Sequence, residues 1–182
     1  MRLLLAIFLI ILSCNSKNNV LEKYESGKIK HELVYVTRNK YYDREYYEDG
    51  KMKRQKYLID SKEEGYETFF RPDGTKSIEI HYQNGKKNGV THLFHPNGRI
   101  AFEGTAKDGE FEGLSTWYFD NGNINFKGSR HLGKDTGMWD FYDKKQNKVV
   151  KSYYNTNDSS VYYNGNGKEI TVEEWKNIAR EE

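Results

Sequence analysis

The chain has 182 residues, and its 29 basic and 27 acidic side chains leave a formal net charge of +2. So even a balance excludes the basic footprint of a nucleic-acid binder and gives no strong attraction to anionic lipid. A mean hydropathy of −0.96 would suit a disordered chain, but 15% of the residues are aromatic, which suits a thin sheet with little interior.

The first element is not part of a fold. Arg2 is followed by an unbroken apolar run from Leu3 to Leu12, too short to span a bilayer as a helix and suited to the core of a secretory signal. The run ends in "ILSC" at 11–14, which resembles the bacterial lipobox. That resemblance implies a signal peptide at 1–13, cleavage before Cys14 and acylation of its thiol and new amino group, with palmitate as a typical chain. Each buried CH₂ of such chains is worth ~0.8 kcal/mol of membrane attachment. Cys14 is the only cysteine, so no disulfide framework is open to the chain. Asn15 follows it rather than Asp, so the rule for inner-membrane retention is not met. The expected location is a bacterial cell envelope, and in a Gram-negative cell the outer membrane facing the periplasm. Residues 14–23 are expected to be a lipidated linker.

From residue 24 the chain repeats itself. Gly50, Gly74, Gly98 and Gly122 recur every 24 residues, as do Gly65, Gly89, Gly113 and Gly137, and Gly85, Gly109 and Gly133. Clean units run over 66–89, 90–113 and 114–137, with degraded units on both sides. "FRPDG", "FHPNG" and "YFDNG" mark the same turn in each. Proline or aspartate opens it, Asp or Asn takes the second corner, and glycine takes the left-handed position. A three-residue hairpin with a bulge at glycine fits best. The second connection, "NGKKNG" at 84–89, reads as a loop with a glycine near each end. Every unit is then a hairpin, and consecutive hairpins form one meander. The expected fold is all-β: a single-layer antiparallel meander of ~24-residue hairpin repeats over 24–168.

The C-terminus differs. In "TVEEWKNIAREE", Thr171 and Glu174 have capping-box spacing, and Trp175, Ile178 and Ala179 share a helical stripe. A short helix over 171–182 is expected to cap the sheet, whose exposed edge would otherwise invite aggregation.

The stretches "YYEDGK" (46–51), "FFRPDGT" (69–75), "YQNGKKNG" (82–89), "LFHPNGRI" (93–100) and "WYFDNGNI" (117–124) resemble MORN-type repeats. Their closest resemblance is to the bacterial variant found in the family labelled YwqK-like antitoxins. It extends over roughly residues 24–168, with "DKKQNK" at 143–148 departing from the turn pattern. What it implies is membrane attachment and protein association, and by the antitoxin label, binding to a partner protein.

Candidates for chemistry are few. His92 and His95 lie three apart on a strand and so face opposite ways, which does not make a zinc site. Glu79 and Glu103 share a column that Lys127 and Lys151 continue. This could be a glycosidase pair, but a solvated ladder of facing charges is the favoured reading. No enzyme activity, metal or cofactor is expected. The best candidate surface is the column Phe69, Leu93, Trp117 and Phe141, of opposite strand parity to Phe70, Phe94, Tyr118 and Tyr142. Apolar side chains on both faces of one layer leave one column partly open to a peptide, a protein surface or a glycan. The expected function is a membrane-anchored, non-catalytic protein-binding or scaffold module, with an antitoxin-like role as one form of it. The alternative is a glycan-binding repeat protein of the cell envelope.

Overall fold

The computed structural model describes residues 18–156 and 159–178. Cys14 and the apolar run before it lie outside the described residues. Fifteen strands form one open antiparallel sheet in meander order. They are β1 (Asn18–Lys23), β2 (Ile29–Thr37), β3 (Lys40–Tyr46), β4 (Met52–Ile59), β5 (Lys62–Glu63), β6 (Gly65–Phe70), β7 (Lys76–Gln83) and β8 (Lys86–Phe94). Then come β9 (Ile100–Lys107), β10 (Glu110–Tyr118), β11 (Ile124–His131), β12 (Lys134–Tyr142), β13 (Val149–Asn155), β14 (Ser160–Asn164) and β15 (Glu169–Ile170). The two-residue β5 pairs with β4 off the main path, and each of the others pairs with its neighbours in the chain. A single helix, α1 (Val172–Asn177), follows β15. The all-β meander and its C-terminal helix are therefore those expected from the repeat.

One hairpin turn recurs along one long edge of the sheet. In the Pro-Asp-Gly copy, Gly74 N–H donates to Arg71 O and Arg71 N–H donates to Thr75 O, both at 2.8 Å. Gly74 has φ +93°, where a side chain would strain the backbone, and the ladder shifts register at Phe69/Phe70. This is the expected type I turn closed by a glycine bulge. Asp73 Oδ1 accepts from Thr75 N–H at 2.8 Å, so the turn residue ties its own exit strand. Copies are stitched to one another as well. In three copies the residue that opens the turn reaches the next one: Tyr47 OH donates to Phe70 O at 2.7 Å, an Arg71 guanidinium nitrogen to Phe94 O, and His95 Nε2 contacts Tyr118 O at 2.9 Å.

The opposite edge corrects one expectation. "NGKKNG" is not a six-residue loop. Asn84 and Gly85 alone turn the chain, at φ +52° and +79°, with Gln83 facing Lys86 across them. Such left-handed pairs suit the twist of a two-residue hairpin. Lys86 to Gly89 already belong to β8. Gly89 lies beside an irregularity of the ladder inside the strand, between Ile80 and Tyr82 on its partner.

Two further differences come from register. Residues 18–23, expected as linker, form the edge strand β1 on β2. All six are exposed, so no apolar alternation marks them. After β12 the turn spans Asp143 to Lys148, one residue longer than the copies before it. Phe141 consequently faces Lys151, and Val150, which the 24-residue period places in the Phe102 and Phe126 column, moves to the other side.

Antiparallel partners point to the same face, so the pairings sort the side chains. One face carries the ladder Glu32–Arg44–Gln55–Thr68–Glu79–His92–Glu103–Thr116–Lys127–Asp140–Ser152, polar from end to end. Against it the other face holds most of the packing.

Candidate functional site: an aromatic face

The expected column Phe69, Leu93, Trp117 and Phe141 lies on one face, and the structure extends it. Cross-strand pairing runs Arg54–Phe69–Ile78–Leu93–Phe102–Trp117–Phe126–Phe141–Lys151. Ile78, Phe102 and Phe126 are thus the neighbours that fill the gaps between the four. Trp117 stacks on Phe126 with centroids 4.5 Å apart and planes 14° apart, and Phe126 stacks on Phe141 at 5.4 Å and 18°. Phe102 lies 4.4 Å from Trp117. Offset and edge contacts of this kind add to what burial alone contributes. Among the four, none is fully buried; Phe102 is, at 3% exposure.

A second ladder beside the first explains how rings can lie flat. Thr91, Gly104, Ser115 and Gly128 face one another across four strands, and Gly128 faces Trp139. A Cβ on Gly128 would stand 2.1 Å from the Trp139 ring, and one on Gly104 would stand 2.6 Å from Phe102 Cζ. Glycine is required there for close approach, not for a turn. Trp139 is 1% exposed and stacks on Tyr153 at 6.2 Å and 6°. The Arg130 guanidinium lies over Trp117 at 4.9 Å and over Phe111 and Trp139 at 5.6 Å, a cation–π lid on three rings. Asp135 Oδ1 holds that guanidinium at 2.9 Å and its Oδ2 accepts from Tyr153 OH at 3.1 Å. Burial first, then the Asp135 charge, pushes the Tyr153 hydroxyl well above the usual phenol value.

Sequence reasoning missed Arg130, Tyr153 and Tyr162 as members of this face. Gly104 and Gly128 are themselves 24 apart, a signal that rings would lie across them. The glycosidase reading is not supported in its geometry. His92 stands between Glu79 and Glu103 in the polar ladder and contacts Glu103 at 3.2 Å, while Glu79 pairs with Lys76 at 2.5 Å. Lys151, expected in that column, sits on the aromatic face instead. His95 belongs to the turn after β8, not to a strand.

Toward β1 the same face changes character. Arg54 reaches Glu45 at 2.6 Å, Glu67 at 3.2 Å and Asp43 at 3.4 Å. Lys56 reaches Glu63 at 3.5 Å and Asp43 at 3.7 Å, and His31 reaches Asp43 at 2.8 Å. Burial, with Glu67 beside it, pushes the Tyr82 hydroxyl up to about 12.

At the far end α1 closes the face. Thr171 and Glu174 form the expected capping box. Trp175 meets Phe141 at 5.3 Å and 85°, Tyr153 at 5.9 Å and Tyr162 at 5.4 Å. Lys151 Nζ lies 4.3 Å from the Trp175 ring centre and donates to Trp175 O at 3.2 Å and Ile178 O at 3.1 Å. No helix among the described residues is long and apolar enough to cross a membrane, and among them no group of three or more His, Cys, Asp or Glu residues is placed to hold a metal ion.

Two segments, residues 44–60 and 111–130, match the MORN repeat variant. The first covers the end of β3, the turn and β4, and the second nearly all of the β10–β11 hairpin, so both fall on the recurring turn. No curated protein matches the chain. Among solved structures, a mutant of TarM from S. aureus in complex with fondaparinux, α-GlcNAc-glycerol and UDP is similar at 12% identity and a TM-score of 0.39. The likeness covers 57% of this chain and 20% of that one, so this chain spans about a fifth of that protein's length. At that TM-score nothing about fold or activity follows from it. The two matched segments and the open hairpin sheet together indicate a repeat-based binding module of MORN-like construction.

Proposed function

We propose that this protein is a non-catalytic protein-binding module of a bacterial cell envelope, anchored by lipid on Cys14 and using the aromatic face as its binding surface. One observation carries the reading. The ladder from Phe69 to Phe141 is continuous across β6 to β12 and, apart from Phe102, is not fully buried, so each of its other side chains keeps part of its surface in solvent. A contiguous apolar strip of rings, bordered by charge, is the composition that concentrates binding energy at protein interfaces.

The anchor is supported by the apolar run, the lipobox-like "ILSC" and the sole cysteine. Three residues separate Cys14 from the start of β1 at Asn18, and the four steps along the chain reach ~14 Å when fully extended. Lipid there would hold the β1 edge against the bilayer and leave the aromatic end projecting from it. In a Gram-negative cell we place the anchor in the outer membrane, facing the periplasm. An antitoxin-like role would be one use of this surface, in which the bound partner is a toxin.

The test is capture of the tagged full-length protein from gently solubilised membranes, then binding of the captured protein, purified, to wild type and to Phe69→Ala and Leu93→Ala variants. Expected is one stoichiometric protein that loses affinity tenfold or more for the variants, and acyl labelling that Cys14→Ser abolishes. Retention on cell-envelope glycan with no protein partner would overturn the reading in favour of a glycan binder.

A further inference from the structure

The aromatic face already has an occupant. Helix α1 has only six residues and buries none of them fully. A helix this short is not stable by itself in water, so what holds it is its docking. Three contacts do so: Trp175 against Phe141, Tyr153 and Tyr162, the Lys151 ammonium against the Trp175 ring, and the same ammonium on the Trp175 and Ile178 carbonyls at the helix end. The last two contacts match cation to ring quadrupole and cation to helix C-terminus. The fit is incomplete, because Trp175 Nε1–H is buried with no acceptor among the described residues. A partner that supplies one would bind this end better than α1 does.

We propose that α1 is a displaceable stopper, and that the partner presents a tryptophan-bearing helical segment which takes its place over β12 to β14. This rests on the reading that the aromatic face binds protein, and it names the chemistry of what is bound there. The segment to be displaced carries acidic residues in its first turn, Glu173 and Glu174, and lies over the cationic Lys151. A competing segment has the same polarity: acidic side chains first, then tryptophan, then a free helix end for Lys151 to cap. Because the stopper and the partner compete, binding is set by how readily α1 lets go. Weakening its cap strengthens binding without touching the face.

The experiment uses the full chain and a defined probe, the acetylated and amidated peptide of residues 171–178. It is titrated to millimolar concentration into ¹⁵N-labelled wild type, Thr171→Ala and Trp175→Ala. Trp175→Ala empties the face and is expected to bind the peptide with shifts confined to β12–β14, at least tenfold tighter than wild type. Thr171→Ala removes the N-cap and is expected to bind about fivefold tighter than wild type, the factor equivalent to a cap worth ~1 kcal/mol. A peptide whose own tryptophan is replaced by alanine is expected not to bind. Equal affinity of all three proteins overturns the proposal, as does no binding to a Trp175→Ala chain whose amide spectrum shows an intact sheet. Should Trp175→Ala unfold the sheet, an unchanged affinity in Thr171→Ala overturns it. The peptide titration needs no cellular partner. Peptide binding without a captured protein would keep the stopper and remove the envelope module, and the converse result would do the reverse.

Discussion

The two ends of one face are built on the same hairpin and held by different physics. From β9 to β14, rings stack across strands and a guanidinium lies on top of them. From β2 to β6, the equivalent positions carry His31, Asp43, Glu45, Arg54 and Glu67, which pair with one another and leave only Arg54 Nε–H among them buried without a partner among the described residues. A single layer therefore does not need a uniform core. Backbone ladders and stitched turns supply the shared frame, and each end needs only side chains that complete one another on that face. The ends differ in what they offer to a partner. Paired charges are poor glue, since taking them out of water costs about as much as their attraction returns, whereas rings that are not fully buried gain from every contact that covers what they still expose. The aromatic end is therefore the adhesive one.

Removing the centre of the aromatic end should do the greatest damage. Trp139→Ala is expected to destabilise the protein by about 3–5 kcal/mol in urea or thermal unfolding, because a 1%-exposed indole leaves a cavity over Gly128. A loss below about 1 kcal/mol would mean the rings are decoration on a sheet held by its backbone.

At the charged end the expected signature is non-additivity. Arg54→Ala strands Glu67, which is 7% exposed, and is expected to cost about 3 kcal/mol. Pairing Arg54→Met with Glu67→Leu should recover most of that loss, since apolar residues of similar volume replace the pair while Glu45 keeps Lys53 and Asp43 keeps His31 and Lys56. A double variant no better than the single one would show that this end is specified by its ions and not interchangeable with its neighbour.

Alkali separates the ends more gently. The Tyr82 hydroxyl is pushed up to about 12 beside Glu67, and that of Tyr153 is pushed well up beside Asp135. For an acid whose folded value is raised, stability is complete below the ordinary phenol value near 10 and is lost as pH rises from there through the folded value. Thermal midpoints should hold up to about pH 10 and then fall. Tyr82→Phe should flatten the part that belongs to the charged end and Tyr153→Phe the part that belongs to the aromatic end.

The smallest effect lies at α1. Glu174 is held below the usual carboxylate range, first by the Thr171 backbone N–H and then by its hydroxyl. Its contribution is present above the ordinary Glu value and is lost as pH falls through the lower folded one. Tryptophan fluorescence from Trp175 should shift in mild acid while sheet circular dichroism stays unchanged, and Glu174→Gln should move that shift.

The repeat, its hairpins, the glycine turn and the capping box were legible in the amino-acid order. Each of these rests on local chemistry: a left-handed φ at Gly74, proline kept to turns, and a hydroxyl three residues ahead of a carboxylate. That order also placed Phe69, Leu93, Trp117 and Phe141 in one column, since a fixed 24-residue period preserves strand parity. Tertiary structure alone decided what lies between and beyond them. Whether Phe102 and Phe126 flank that column depends on the hairpin register, which each bulge shifts by one. One extra residue in the Asp143–Lys148 turn carried Lys151 across to the aromatic face, where it meets Trp175 from 24 residues away. Parity along a strand is a property of consecutive residues, but partners across strands, and a helix folded back upon them, follow from distances that no local pattern records.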